Sequence, residues 1–393
     1  LERDKVEGEY NELKKLMEYL EDLLASPEKI YSVMKEDLGD MRAKYGENRK
    51  TELSIHGGDI DIEDLIADEP CVIALTNTGY IKRVPTDTYR EQRRGGKGVI
   101  GMNTKEEDYV EHVFSASTHD YLLCFTEEGR MYWLKAYRVP EGSRQARGRS
   151  LANVLQMSQE EKLAAIICVR ELDDDKHNLL MATKNGVVKK TVLSAYKNVR
   201  VAGINAIKID ENDQLIGVVL TNGENDVMLS TKKGKAIRFH EKGARTMGRV
   251  SRGVRGIRLA EDDIVVSIDI VDGDATMMAI TENGFGKRTS FDEYRPQTRG
   301  GKGVISIQTT ERNGDVVSAH AVTDQHGILL ITEGGQVTRI GANGLRVIGR
   351  NTQGVTIFNL KEKDRLVSAA RLDPEEIIDS EENDENKNDE KEG

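Results

Sequence analysis

Aromatic residues and proline are scarce in this chain of 393 residues: 5% of positions are Phe, Trp or Tyr, with one Trp, and there are 6 prolines. Few aromatics argue against single-stranded nucleic acid as a ligand, because its bases are gripped by stacking platforms. Six prolines beside 37 glycines argue against a collagenous or Pro-rich disordered polymer and point to many short elements joined by tight turns. The three cysteines, Cys71, Cys124 and Cys168, lie far apart without a CxxC spacing. They read as buried thiols of a reducing cytoplasm, not as a disulfide or metal framework. No apolar run approaches the length of a membrane span, and LERDKVEGEY is charged where a signal peptide needs an apolar core, so a soluble intracellular protein with no membrane partner is expected. There is no GxxxxGK[ST] loop for ATP and no HExxH among the seven histidines, and no carboxylate pair recurs. No active site and no metal site are expected in this chain.

What is present begins with charge. The formal net charge of −11 sums three unlike segments. Residues 1–70 carry 20 acids against 10 bases, and residues 373–393 carry 11 acids against 2 bases; the body between them has 45 bases against 37 acids, a surplus of +8. A basic body between acidic ends points to an anionic partner, with the tail as a competitor for the same surface.

Along the chain, Leu13, Leu16, Met17, Leu20, Leu23 and Leu24 recur at helical spacing, and Ser26-Pro27 restarts a helix carrying Ile30, Val33, Met34, Leu38 and Met41 that should stop near Gly46. The expected organisation is a helical hairpin over 1–48, an acidic linker over 49–70, a repeat region over 71–372 and an acidic disordered tail over 373–393.

The repeat organises everything else. A short apolar run ending in Thr-x-x-Gly occurs six times, with threonines 76, 126, 183, 231, 281 and 332 and turn glycines 79, 129, 186, 234, 284 and 335. Successive turn glycines are 50, 57, 48, 50 and 51 residues apart, and each is followed by a second landmark glycine among basic residues, at 98, 148, 203, 253, 303 and 354. Apolar runs returning through turns such as Lys184-Asn185-Gly186 read as hairpins. Four antiparallel strands per unit, six times over, predict an all-β, six-bladed, propeller-like ring preceded by the helical hairpin.

Two sets of cations recur. Four residues past the turn glycine stand Arg83, Trp133, Lys190, Arg238, Arg288 and Arg339, with Lys82 beside the first. Around the second landmark stand Arg147 and Arg149; Arg245 and Arg252; Arg299 and Lys302; and Arg350. A single cation there would merely guard an exposed strand. Equivalent cations in nearly every blade predict a positive belt around the rim, suited to a long, bent polyanion such as double-stranded DNA. Gly96 to Gly101 fits GxGxxG but lacks the strand-to-helix context of a dinucleotide site.

The first landmark stands in Gln92-Arg93-Arg94-Gly95-Gly96-Lys97-Gly98, whose glycines allow close backbone approach while its cations meet phosphate. This heptapeptide matches the QRRGGKG box of the C-terminal domain of bacterial DNA gyrase A, and the six repeats resemble that domain's β-pinwheel. The opening helices resemble the end of the coiled-coil arm of gyrase A. The resemblance implies blades that exchange a strand with their neighbours, a rim that wraps double-stranded DNA, and a box that aids wrapping and closes the first blade against the last. It further implies a type II topoisomerase in which the wrap gives chirality to ATP-dependent negative supercoiling. The catalytic tyrosine lies outside the stretch resembled here. ATP and Mg2+ are used by the holoenzyme, an A2B2 assembly with gyrase B, in the cytoplasm and at the nucleoid. Gln297-Thr298-Arg299-Gly300-Gly301-Lys302-Gly303 is a second near-copy, read as an ancestral turn kept for its backbone shape. The alternatives are the related component of topoisomerase IV, against which an intact box and six repeats count, and a protein-interaction propeller, which needs no cations in every blade.

Overall fold

The computed structural model describes residues 2–47, 62–76, 78–85, 95–96, 110–143, 146–158, 160–200, 202–334, 336–360, 364–372 and 382–383. The chain divides into two units, Leu1–Asp61 and Ile62–Gly393. The first is a hairpin of α1 (Glu2–Leu24) and α2 (Pro27–Tyr45). Ser26 occupies the cap position of α2 and Pro27 its first turn, but the Ser26 hydroxyl makes no capping bond. Lys29 ties the helices together through Asp22, with Nζ 2.6 Å from Oδ1. Leu13, Leu16, Met17 and Leu20 of the apolar stripe are exposed, as are Met34, Leu38 and Met41.

The second unit is a six-bladed β-propeller. Blade 1 is built from Pro70–Thr76, Tyr80–Pro85 and Val110–Ser117, and blade 2 from Tyr121–Thr126, Arg130–Lys135 and Leu163–Val169. Blade 3 holds Asn178–Thr183, Val187–Val192 and Leu215–Thr221; blade 4 holds Asp226–Thr231, Lys235–His240 and Val265–Ile270. Blades 5 and 6 comprise Thr276–Thr281, Phe285–Ser290 and Val316–Val322, then Gly327–Thr332, Val337–Gly341 and Leu366–Leu372. The third strand of each blade lies innermost, and these strands line an axial cavity of about 640 Å³.

The outermost strand of blades 1 to 5 comes from the following repeat. Arg149–Ser150 completes blade 1, Ile204–Asn205 blade 2, Val254–Arg255 blade 3, Val304–Ile305 blade 4 and Val355–Thr356 blade 5. Blade 6 has three strands among the described residues. The acidic tail expected to lack structure contributes Glu382–Asn383, which runs parallel to Gly95–Gly96 of the box.

Both landmarks have a stereochemical cause. In the Thr-x-x-Gly turn, the glycine N–H donates to the threonine carbonyl, as from Gly234 to Thr231 at 3.0 Å. The threonine hydroxyl, buried in every blade, accepts the N–H four residues on in five blades, as from Lys235 at 3.2 Å. Gly234 has φ +77°, and its carbonyl accepts the N–H groups of Ser306 and Ile307 at 2.8 and 3.1 Å. A β carbon there would stand 2.2 Å from the Ile307 oxygen, so only glycine lets the donated strand seat. At the second landmark, Gly303 (φ +69°) crosses the outer edge of blade 4, where a β carbon would fall 2.6 Å from the Ala236 oxygen.

The strands are apolar on successive residues because each blade is covered on both sides. Leu122 and Cys124 face Ile73 and Leu75 of blade 1, whereas Leu123 and Phe125 face Leu179 and Met181 of blade 3. Shared clusters of this kind join blades 1 to 2, 2 to 3, 3 to 4, 4 to 5 and 5 to 6. Each large apolar side chain so buried contributes roughly 1.5–3 kcal/mol. Exposed ion pairs contribute about 0–1 kcal/mol, so apolar burial between blades holds the ring. Burial pushes the Cys71 thiol up to about 11 and Cys124 to about 12, leaving both as inert packing groups. Trp133 packs on the cluster shared by blades 2 and 3 and meets Tyr121 edge to face at 5.1 Å.

Candidate nucleic-acid interface

The two sets of cations occupy different places. Those four residues past the turn glycine reach forward to the next blade. Arg83 Nη2 lies 2.9 Å from Glu141 Oε2. Lys190 is buried with Nζ 3.6 Å from Oε2 of Glu241, a fully buried carboxylate that also accepts from Thr221 Oγ1 and the Gly223 and Asn225 N–H groups. Arg238 donates from Nε to Asp226 Oδ2 at 2.8 Å and from Nη1 to the Phe291 carbonyl at 3.0 Å. Arg288, 4% exposed, donates to Thr276 Oγ1, Asp324 Oδ1 and the Ala342 carbonyl. Glu241, Phe291 and Ala342 all sit in the short 3-10 turns that follow the second strand of the next blade. These cations therefore latch blade to blade, with their charge answered inside the protein. Arg339 is half-buried, and Lys82 is fully buried.

The cations of the second landmark lie on loops that cross the outer edge of the preceding blade. Arg149, Arg245, Arg252 and Lys302 are exposed. Arg252 pairs with Asp210, whereas Arg149, Arg245 and Lys302 have no described acid within ion-pair distance. Arg255, of the same basic cluster in the sequence, and Arg258, beyond it, are equally exposed. Arg147 is half-buried with its guanidinium 3.8 Å from the centre of the Tyr80 ring. Arg299 donates to the carbonyls of Gly243 and Arg255 at 2.6 and 3.0 Å, and Arg350 repeats the second contact one blade on, reaching the Ile305 carbonyl at 2.8 Å. Of the box, Gly95 and Gly96 are described; Gln92, Arg93, Arg94, Lys97 and Gly98 lie outside the described residues, as does the turn glycine Gly335.

Consecutive loops are joined by main-chain bonds. Lys208 N–H donates to Ser251 O at 3.2 Å, Arg258 to Gly301 O at 2.8 Å and Gln308 to Thr352 O at 2.9 Å. The basic loops of blades 3 to 6 thus follow one another along the rim as a tethered series. Such an array can neutralise successive phosphates of a duplex without reading its bases. Sequence reasoning passed over the interior partners of this rim, Lys189 and Lys287. Both are fully buried, and burial pushes their ammonium groups down to about 7 and about 8 respectively.

No helix among the described residues is long and apolar enough to cross a membrane, and no group of three metal-ligating side chains occurs among them. Six consecutive segments, 72–117, 120–170, 177–222, 225–272, 275–323 and 328–373, match the family described as DNA gyrase C-terminal domain, beta-propeller. The chain is 47% identical over 385 residues to DNA gyrase A of Clostridium acetobutylicum, covering 97% of this chain and 46% of that protein. It is 43% identical to DNA gyrase A of Salmonella typhimurium, covering 97% of this chain and 43% of that one. The chain thus spans less than half the length of these relatives. A solved DNA gyrase A C-terminal domain superposes with a TM-score of 0.63 at 27% identity, covering 77% of this chain and all of that one. The C-terminal domain of a DNA topoisomerase IV superposes with a TM-score of 0.68 at 25% identity, covering 80% of this chain and 97% of that one. Six matched blades, the tethered basic rim and these relatives together place the chain in the DNA gyrase C-terminal β-propeller family.

Proposed function

We propose that this chain binds double-stranded DNA along its rim and wraps it, giving the duplex the handedness that a type II topoisomerase turns into ATP-dependent negative supercoils. The observation that carries this reading is the tethering of successive basic loops through Lys208, Arg258 and Gln308, which holds exposed cations in series along one edge. Bending a stiff duplex over such an arc costs about 1–6 kcal/mol by elastic estimates. Many phosphate contacts spread over several blades offset that; one loop does not. Within this reading Arg149, Arg245, Arg252, Arg299 and Lys302 meet the phosphates, while Lys190, Arg238 and Arg288 hold the blades that present them.

The box over 92–98 is the first contact and the clasp that brings blade 1 onto the three-stranded edge of blade 6. The holoenzyme is an A2B2 assembly in which gyrase B handles ATP and Mg2+, working in the cytoplasm at the nucleoid. The relatives named as DNA gyrase A support that assignment. The six matched repeats favour it over the topoisomerase IV counterpart. Incubating the chain with nicked circular DNA and resealing the nick tests the wrap. The expected outcome is a shift in linking number that shrinks steeply as salt rises. An unchanged topoisomer distribution at low salt would reject the proposal.

A further inference from the structure

Three residues past the turn glycine, the blades alternate. Blades 1, 3 and 5 carry Lys82, Lys189 and Lys287; blades 2, 4 and 6 carry Tyr132, Ile237 and Thr338. All three lysines are fully buried, an arrangement that demands hydrogen-bond acceptors for each ammonium. Each lysine reaches at least one main-chain oxygen of the landmark loop contributed by the next repeat, and Lys189 also reaches one of its own repeat. Lys189 Nζ donates to the carbonyls of Ala206 and Arg249. Lys287 Nζ donates to Gly349 O at 2.7 Å, to Arg350 O and to Thr352 Oγ1 at 3.2 Å. Lys82 Nζ reaches Ser143 O at 3.4 Å, and its stem lies under Gly142. Ser143, Arg249 and Arg350 belong to the loops that bear Arg147, Arg245 and Arg346 respectively.

Blades 2 and 4, which have no lysine there, hold their loops by other means. On blade 4, a β carbon at Gly301 would stand 3.4 Å from Ile237 Cδ1. Gly300 N–H donates to Gly256 O at 2.6 Å, and Gly301 O accepts from Arg258 N at 2.8 Å. That loop is the near-copy of the box, with a paired glycine that the lysine-held loops 141–148, 244–253 and 345–354 all lack. A glycine pair lets the backbone settle directly on an apolar side chain. A buried ammonium instead gathers several carbonyls at once, because it has three donors and no acceptor. On blade 2 the Tyr132 ring lies against Gly203, where a β carbon would come within 2.7 Å of Cε1.

We propose that Lys82, Lys189 and Lys287 are positioning residues of the DNA-facing rim, each fixing from inside one blade the main chain of the arginine-bearing loop of the next without touching DNA itself. The inference rests on the wrapping function proposed above. It divides the basic residues of the ring into three roles: exposed cations for phosphate, latches between blades, and interior anchors under alternate loops. Loss of an anchor frees a loop whose cations are unchanged, so contact with phosphate survives while the geometry of the wrap does not.

The test uses Lys189→Met and Lys287→Met, made singly in the whole chain. In hydrogen exchange of the free protein, amides of 244–253 in the first variant and 345–354 in the second should exchange on the order of tenfold faster, while 295–303 stays protected. With DNA, the linking-number shift per bound protein should fall, while affinity for a short straight duplex stays within about twofold, since phosphate contacts dominate it. Unchanged exchange in the targeted loop overturns the anchoring. A loosened loop with an undiminished linking-number shift overturns the positioning role. If both variants lose protection in 295–303 as well, Lys82→Met, which removes the contact to Ser143 O, decides: general loss of protection there too would make the lysines core residues and overturn the proposal. An unmodified chain that shifts no linking number would sink the wrapping reading, a result separate from the exchange measurement.

Discussion

A threonine hydroxyl and a glycine carbonyl do most of the local work in each hairpin: the first folds the turn onto itself, and the second accepts the strand that the next repeat delivers. Glycine is needed there for two separable reasons, positive φ and the absence of a β carbon. Gly234→Ala should lose more than 2 kcal/mol in urea unfolding, since about 1–2 kcal/mol of backbone strain is joined by a methyl pressed to 2.2 Å from the Ile307 oxygen. Gly223→Ala, at φ +93° with nothing within 4 Å of the added carbon, should lose the strain alone. Equal losses for the two would show that seating the donated strand makes no demand on Gly234. This requirement is why Thr-x-x-Gly is visible in the sequence at all. The rule is local, so six copies of it can be read without knowing what they pack against.

Strands and loops are less transparent. The donated strands are two residues long, too short to announce themselves, and their partners lie in the preceding repeat. The blade count follows from the six turns; the exchange of strands entered through the family resemblance. The same non-locality blurred the cations. Arg288 and Lys302 look alike in the sequence, both basic and both in repeated register, yet one is buried among Thr276, Asp324 and Ala342 and the other is exposed. Spacing reported that cations recur, but whether each is answered inside the protein depends on groups brought to it from neighbouring blades. Titrating DNA binding against salt should separate them. Arg245→Ala and Lys302→Ala should each reduce the slope of log affinity against log salt by about 1. Arg288→Met should leave the slope unchanged and instead destabilise blade 6 by about 1.5–3 kcal/mol, the worth of hydrogen bonds to a charged group. A fallen slope for Arg288→Met would return that residue to the DNA-contacting set.

At the scale of the whole molecule, an acidic tail accompanies a basic ring, and the described part of that tail, Glu382–Asn383, runs beside the two central glycines of the box. Deleting residues 373–393 removes a net −9. Binding of duplex DNA at low salt should then tighten several-fold, with the advantage fading as salt screens both partners. Unaltered affinity would show that the tail does not compete for the rim. The offset between repeats and sheets has a further consequence. Because blades 1 to 5 are each finished by the repeat after them, no cut in the chain between blades leaves two complete pieces. Removing the last repeat would strip Val355–Thr356 from blade 5, and removing the last two would strip Val304–Ile305 from blade 4. A shortened ring of this design therefore always ends in a raw edge of unpaired amides and carbonyls, wherever the shortening falls.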